Sequence, residues 1–278
     1  MIEKYIQTAI KAALKAGEAI LEVYASDFVI EQKNDHSPLT LADKSAHEII
    51  KKALLPLGIP ILSEEGRAIS FKERRAWNTL WIVDPLDGTK EFIKRNGEFT
   101  VNIALVENGC PVLGVIFVPV MNTLYWARVG AGAYRTELKP NDALEGAFLE
   151  TLINKSKRLP LSGREIRNRP YTIIGSRSHA NPELEAFVEK KRTQFGEVEF
   201  ISAGSSLKFC RVAESRADIY PRLGPTMEWD TAAGQAIVEA SGGAVVEHDS
   251  NKVLRYNRAD LLNPSFVVKR HLYSSPAG

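Results

Sequence analysis

Cysteine is scarce: Cys110 and Cys210 are the two in 278 residues. Two thiols so far apart are too few for a disulfide scaffold and wrongly spaced for a structural zinc site, which points to a reduced, cytoplasmic setting. Charge of one sign is lacking as well. Lys and Arg number 36 against 34 Asp and Glu, a formal net charge of +2, and so small an excess argues against nucleic-acid binding driven by bulk charge. Long hydrophobic runs are missing too. Glu3, Lys4, Lys11, Lys15, Glu18 and Glu22 interrupt the first turns before any apolar stretch reaches signal-peptide length. The longest apolar stretch, Pro111 to Val120, is too short to span a bilayer and is rich in β-branched residues, so it reads as a buried strand. Neither a secretion signal nor a membrane-spanning segment is expected. The five histidines show no helix-face pairing of the metal-ligand kind, and no repeat or low-complexity tract occurs.

What is present describes a globular chain able to bury a large core, in one large or two ordinary domains: 44% of residues are hydrophobic and 25% charged. Ile2, Ile6, Ile10, Ala13, Leu14, Gly17, Ile20, Leu21 and Tyr24 recur at helical steps and predict an amphipathic first helix. Phe28 to Glu31 reads as a short strand and Asn34 to Pro38 as a loop. Thr40 is a candidate N-cap for a helix to about Leu55, with Asp43 in its first turn. Ile59 to Ser63 and Thr79 to Val83 read as buried strands, each ending in acidic residues. Val101 to Val106, Val112 to Val118, Thr123 to Ala127 and Gly132 to Arg135 predict an antiparallel meander, with Asn108-Gly109 as one of its turns. Lys139 to Arg169 reads as the crossing between two halves. A strand at Tyr171 to Ile174, a helix after Asn181-Pro182, a strand near Val198 to Ile201 and helices from Ser205 to about Glu214 and from Thr231 to Ala240 follow, the last closed by Gly242-Gly243. Lys72 to Arg75 and Lys190-Lys191-Arg192 read as solvated surface, and both cysteines as buried thiols.

The chemistry is concentrated in Asp84-Pro85-Leu86-Asp87-Gly88-Thr89. Two carboxylates three residues apart around a proline-fixed turn can converge on hard cations, with the Leu86 carbonyl as a further oxygen ligand. Gly88 lets the backbone approach a ligand closely, and free N–H groups at Gly88 and Thr89 suit an anion. The hexapeptide arises by chance in a chain this long with a probability on the order of 10⁻⁶ to 10⁻⁵. The other acidic segments each have an ordinary explanation. Glu64-Glu65 suits a solvated loop, Asp230 in Glu228-Trp229-Asp230 an N-cap, and Asp43 a favourable helix-dipole charge. Those explanations weaken when all four segments are taken together.

Ser37-Pro38-Leu39-Thr40-Leu41-Ala42-Asp43, Leu62-Ser63-Glu64-Glu65-Gly66, Asp84 to Thr89 and Glu228-Trp229-Asp230-Thr231-Ala232-Ala233-Gly234 occur in that order. In them the sequence resembles the lithium-sensitive, magnesium-dependent phosphatase superfamily of inositol monophosphatase and fructose bisphosphatase, and within it the 3'(2'),5'-bisphosphate nucleotidases of the CysQ type. The resemblance runs from the first helix to Gly242-Gly243, with Lys139 to Arg169 the part that aligns poorly. It implies an α/β (α+β) fold, a layered α-β-α-β-α sandwich, with an N-terminal half (1–150) carrying most metal ligands and a C-terminal half (151–278) carrying Asp230 and the substrate residues.

The resemblance further implies that Glu64, Asp84, Asp87, Asp230 and the Leu86 carbonyl hold two or three Mg²⁺ ions. Asp43 and Thr89 would position and deprotonate the attacking water, with Glu64 also counted among the catalytic groups. Four ligand carboxylates in one pocket repel unless divalent cations neutralise them, and Mg²⁺ prefers oxygen ligands and phosphate. Gly88, Thr89, His179, Ser205, Lys208, Arg222 and Asp230 are the expected substrate contacts. Arg222 stands where inositol phosphatases carry a glutamate and suits a second phosphate; Ser205 and Lys208 share one predicted helix and suit a 5'-phosphate; His179 resembles an adenine contact. The implied substrate is a small phosphorylated nucleotide, adenosine 3',5'-bisphosphate or its sulfated relative. Inositol phosphates, sugar bisphosphates and a non-catalytic phosphate-binding role stand as alternatives. The expected setting is cytoplasmic, with peripheral contact at the cytoplasmic face of the inner membrane and the oligomeric state left open.

Overall fold

The periodicity of the N-terminal segment is realised in a computed structural model that describes residues 2–26, 30–32, 38–139, 148–163, 166, 168–176 and 182–270. Ile6, Ala9, Ile10, Ala13, Ala16 and Ile20 form the buried face of α1 (Ile2–Tyr24). At Gly17 a Cβ would stand 2.3 Å from the Phe117 ring, so glycine is what lets α1 lie so close to the sheet beneath it. A two-stranded pair, β1 (Ile30–Gln32) and β2 (Pro38–Thr40), leads directly into α2 (Leu41–Leu54). Thr40, expected as an N-cap, is the residue immediately before that helix and at the same time the last of β2.

Seven strands form the first sheet in sequence order: β3 (Ile61–Ser63), β4 (Thr79–Asp87), β5 (Thr100–Glu107), β6 (Cys110–Val118), β7 (Thr123–Arg128), β8 (Gly132–Glu137) and β9 (Lys157–Leu159). Only β3 and β4 are parallel; the rest is the expected meander. Its turn residues Asn108 and Gly109 both have positive φ, 49° and 74°, as a tight hairpin with right-handed twist requires. Along β4, side chains alternate: Trp81 and Val83 face the α1/α2 layer, Leu80 and Ile82 the opposite layer. The short helices α3 (Phe71–Arg74) and α4 (Thr89–Ile93) flank β4.

The segment expected as a mere crossing contains α5 (Phe148–Lys155) and β9, and β9 pairs with β8. The first sheet thus ends at Leu159, and residue 150 falls inside α5. The second sheet has the order β11 (Val198–Ser202), β10 (Tyr171–Gly175), β12 (Ile219–Arg222), β14 (Phe266–Lys269), β13 (Ala244–Glu247). Its helices are α6 (Pro182–Phe195), α7 (Leu207–Ala213) and α8 (Ala232–Ala240).

Three apolar clusters show how these layers stack. One joins α1 and α2 to the first sheet; the largest joins the other face of that sheet to α7, α8 and one face of the second sheet; the third joins Ile173, Ile219 and Val267 of the second sheet to Leu184 and Val188 of α6. The order is α-β-α-β-α, as expected. Two burial expectations fail, one in each direction. Arg74 is buried, donating to Asn257 Oδ1 at 2.9 Å and the Ala259 carbonyl at 3.0 Å. Cys110 is half-buried beside Arg255, whereas Cys210 is buried as expected.

Candidate active site

The site begins where the parallel pairing of β3 with β4 ends. Ser63 of β3 lies opposite Val83 of β4, and the Glu64 N–H donates to the Val83 carbonyl at 3.1 Å. That bond brings Glu64 alongside Asp84, which is buried. Beyond Asp84 the pairing of β4 with β5 shifts register before Asp87, a bulge that accommodates Pro85, which cannot donate to the ladder. Within it the Leu86 N–H donates to Asp84 Oδ1 at 3.1 Å, an Asx-type turn that fixes the carboxylate. Gly88 follows with φ 91°, a left-handed value that glycine reaches without strain. Thr89 then opens α4, its Oγ1 at 3.5 Å from the Leu86 carbonyl.

Asp230 comes from the other half of the chain, on a single 3₁₀ turn, Glu228–Asp230. Read from the sequence, its first role is to cap the following helix. Instead its Oδ2 accepts from the Met227 N–H at 2.9 Å, capping the turn it belongs to. Glu228 holds that turn in place: fully buried, it accepts from the Asn257 and Arg258 N–H groups at 2.7 and 3.0 Å. Arg74 secures Asn257 in turn.

The result is a cluster in which Glu64, Asp84 and Asp230 each offer an oxygen within 4.8 Å of the others. The Asp84 carboxyl is pushed well above the usual range, first by burial and then by Glu64, Asp87, Asp230 and Asp43. Asp230 rises to about 8, chiefly by burial and Asp87, against the opposing Met227 N–H. Asp43 is buried in the first turn of α2 and close enough to Asp84 to act on it. Five carboxylates thus converge electrostatically on one place. An all-oxygen, anionic donor set of this kind fits a hard divalent cation, which would return these carboxyls to their ionised state.

Beside the cluster, Asp87, Gly88, Ser205, Lys208, Arg222 and Asp230 line one cleft. Six residues singled out from sequence therefore meet. His179 lies outside the described residues. Ser205 and Lys208 do not share the start of a helix as expected, because α7 begins at Leu207 and Ser205 precedes it with φ 43°. The Ser205 Oγ is buried with no hydrogen-bond partner among the described residues, so a ligand oxygen would relieve it. Lys208 is buried, and its ammonium donates to the Ser205 and Ala203 carbonyls at 2.6 and 3.2 Å. Two of its three donors thus tie the loop rather than face the cleft. Its pKa falls to about 8, mainly through burial, with Asp87 opposing and Arg222 assisting. Arg222 ends β12; one Nη donates to the Pro225 carbonyl at 2.6 Å, while its Nε is buried without a partner among the described residues.

Sequence reading missed Thr100, Asn102 and Ser206, which are buried next to Asp87. The available signal was Asn102, a polar side chain inside the otherwise apolar run of β5.

The sequence matches the inositol monophosphatase family over residues 1–275. It is 44% identical over 267 residues to the 3'(2'),5'-bisphosphate nucleotidase CysQ of Escherichia coli O157:H7, covering 92% of this chain and 96% of that protein. It is 43% identical to the enzyme of the same name from Salmonella typhimurium, covering 95% and 98%. Among solved structures, CysQ from Bacteroides thetaiotaomicron, described as a bacterial member of the inositol monophosphatase family, superimposes with a TM-score of 0.88 at 50% identity, covering 97% of this chain and 98% of that one. The suppressor protein SuhB from Bartonella henselae follows with a TM-score of 0.71 at 26% identity, covering 96% and 93%. With the family match spanning nearly the whole length and the carboxylates gathered at the strand ends, the chain belongs to the inositol monophosphatase family.

Proposed function

We propose that this protein is a phosphoric monoester hydrolase that removes the 3'-phosphate of adenosine 3',5'-bisphosphate, giving AMP and phosphate, and treats the sulfated analogue likewise. Two or three Mg²⁺ ions are the proposed cofactor, held by Glu64, Asp84, Asp87, Asp230 and the Leu86 carbonyl. When bound, the ions supply Lewis-acid activation of water and stabilisation of the leaving ester oxygen. The chain's own residues do the rest. Asp43 and Thr89 orient the attacking water and take its proton, and Gly88 leaves the backbone open beside the reacting phosphate. The water's oxygen forms the new P–O bond, and the nucleoside 3'-oxygen leaves and takes up a proton.

One observation carries the choice of substrate: cationic Arg222 and Lys208 share a cleft with Asp87 and Asp230. A cleft lined by two carboxylates together with a guanidinium and an ammonium suits a substrate with two phosphates, one reacting and one held. A nucleotide metabolite also accords with the names carried by the similar bacterial nucleotidases and with a cytoplasmic setting. Among the described residues no helix is long and apolar enough to cross a membrane. The test is phosphate release with Mg²⁺ from adenosine 3',5'-bisphosphate, inositol 1-phosphate and fructose 1,6-bisphosphate at equal concentrations. The nucleotide should have the highest kcat/KM. A preference for either sugar phosphate would overturn the assignment.

A further inference from the structure

Ser206 stands at the N-terminal boundary of α7, where a serine ordinarily accepts from a free N–H of the first turn. Here it makes no such cap. Its hydroxyl instead lies 2.7 Å from Asp87 Oδ2 and 3.0 Å from the Asp230 carbonyl. Asn102 Nδ2 donates to Ser206 Oγ at 2.8 Å and lies 3.4 Å from the same Asp87 oxygen. Thr100 Oγ1, at 3.1 Å from Asn102 Oδ1, sets which way the Asn102 amide faces. All three side chains are buried, at most 1% exposed.

The proton inventory settles how the chain runs. Ser206 has one hydroxyl proton; having accepted from Asn102, it can donate once. The shorter contact, to a carboxylate, is the stronger of its two choices. Both bonds to Asp87 therefore fall on Oδ2, which fixes the torsion of the carboxylate and directs Oδ1 by default. Ser206 at the same time sits against the backbone of Asp230, the residue that the second half contributes.

We infer that Ser206, backed by Asn102 and Thr100, is a positioning residue that sets the Asp87 carboxylate relative to Asp230 and so tunes metal affinity at the junction of the two halves. The inference rests on the acidic cluster being a metal centre. Partners that orient ligands in this manner are worth about ten- to a hundredfold in metal affinity.

The experiment titrates metal-free wild type, Ser206→Ala and Asn102→Ala with Mn²⁺ by calorimetry, and records thermal unfolding with and without metal. Ser206→Cys, close to serine in volume with a weaker donor, serves if the alanine variant does not fold. The expected result is a Kd raised about ten- to a hundredfold in Ser206→Ala and a smaller metal-induced rise in Tm, beside a metal-free Tm lowered by the loss of a partner for the buried Asn102 and Asp87. The double variant should bind no more weakly than the weaker single one, because both act through one oxygen. Unchanged affinity, or a lower metal-free Tm with affinity intact, would overturn the inference and leave Ser206 a packing residue. If wild type itself binds no Mn²⁺, the metal-centre reading fails instead.

Discussion

Asp84→Asn should make the metal-free protein more stable while abolishing its response to metal. The amide has nearly the shape of the carboxyl, so it can still accept from the Leu86 N–H, but it carries no charge. In the native cluster, ionised groups within 4.8 Å of one another repel by at least about 3.5 kcal/mol per pair at an effective dielectric near 20. Protonation is the protein's escape from that cost, which is why the Asp84 and Asp230 carboxyls hold their protons far above the ordinary range. The sign follows directly. A carboxyl whose folded pKa is raised binds more protons folded than unfolded, so stability falls as pH rises from its unfolded value of 3.8, for Asp230 until about 8. The loss is at most about 1.4 kcal/mol per pH unit for each such carboxyl.

As pH rises through the neutral range, then, the raised Asp84 carboxyl makes the metal-free wild type less stable and lowers its Tm. The substituted amide has no proton to lose, so the variant's metal-free Tm should fall less steeply with pH and lie above that of wild type at pH 7.5. Adding Mg²⁺ should raise wild-type Tm strongly and the variant's little. Differential scanning calorimetry in EDTA and in excess Mg²⁺ reads all four curves. A variant with the wild-type pH slope, or with its Mg²⁺-induced rise intact, would show that Asp84 is not where the charge converges.

Arg222→Ala should lower kcat/KM on adenosine 3',5'-bisphosphate by about tenfold to a hundredfold, mainly through KM, since a bond to a charged group is worth about 1.5 to 3 kcal/mol; adenosine 3'-monophosphate should lose little, and an equal loss on both would place Arg222 elsewhere. Because Lys208 gives up its proton near pH 8, KM for the bisphosphate should rise above that pH in wild type, and a flat KM profile to about pH 9.5 would remove the ammonium from substrate binding. Li⁺ should inhibit at concentrations where Na⁺ and K⁺ do nothing, measured at saturating Mg²⁺; equal insensitivity to all three contradicts the family-based expectation. Arg74→Met should lower Tm and activity together, since it takes a partner from Asn257 and the Ala259 carbonyl and a favourable charge from the buried Glu228 at the base of the Asp230 turn; full activity with unchanged Tm would refute that support.

The carboxylates were legible in the sequence because the constraint on them is local. Asp84, Pro85, Asp87 and Gly88 build a bulge and a left-handed turn within one short segment, and no other part of the chain is needed to recognise it. The strands of the first sheet were legible for a similar reason: strands buried on both faces, such as β5 and β6, write themselves as apolar runs, whereas the layer order came from the family resemblance. The strands that sequence reading passed over are three or four residues each. β12 contains Pro221, and β13 and β14 lie among loops, so neither length nor periodicity separates them from loop. Arg74 was assigned to the surface because its neighbours Lys72, Glu73 and Arg75 are charged, yet the partners that draw it inward lie at 257 and 259. A buried ion has no local signature when its counterparts are remote in sequence.

The same reasoning explains why substrate residues were harder to place than metal ligands. Asp87 and Asp230 come from separate layers, and their spacing is set by how those layers dock. At that docking surface Glu214, fully buried after α7, accepts from the Tyr125 hydroxyl of β7 at 2.8 Å and from Arg211 at 2.9 Å, and pairs with Arg135 of β8 at 3.0 Å. A carboxylate so enclosed resists sliding, because any shift leaves it buried with fewer partners. It anchors the C-terminal end of α7 to the first sheet, while Ser206 at the other end touches both Asp87 and Asp230. α7 is therefore pinned at both ends by groups that belong to the opposite half. Ser205 and Lys208 inherit their positions from that pinning, so the geometry of the cleft depends on a three-body contact that no window of sequence contains.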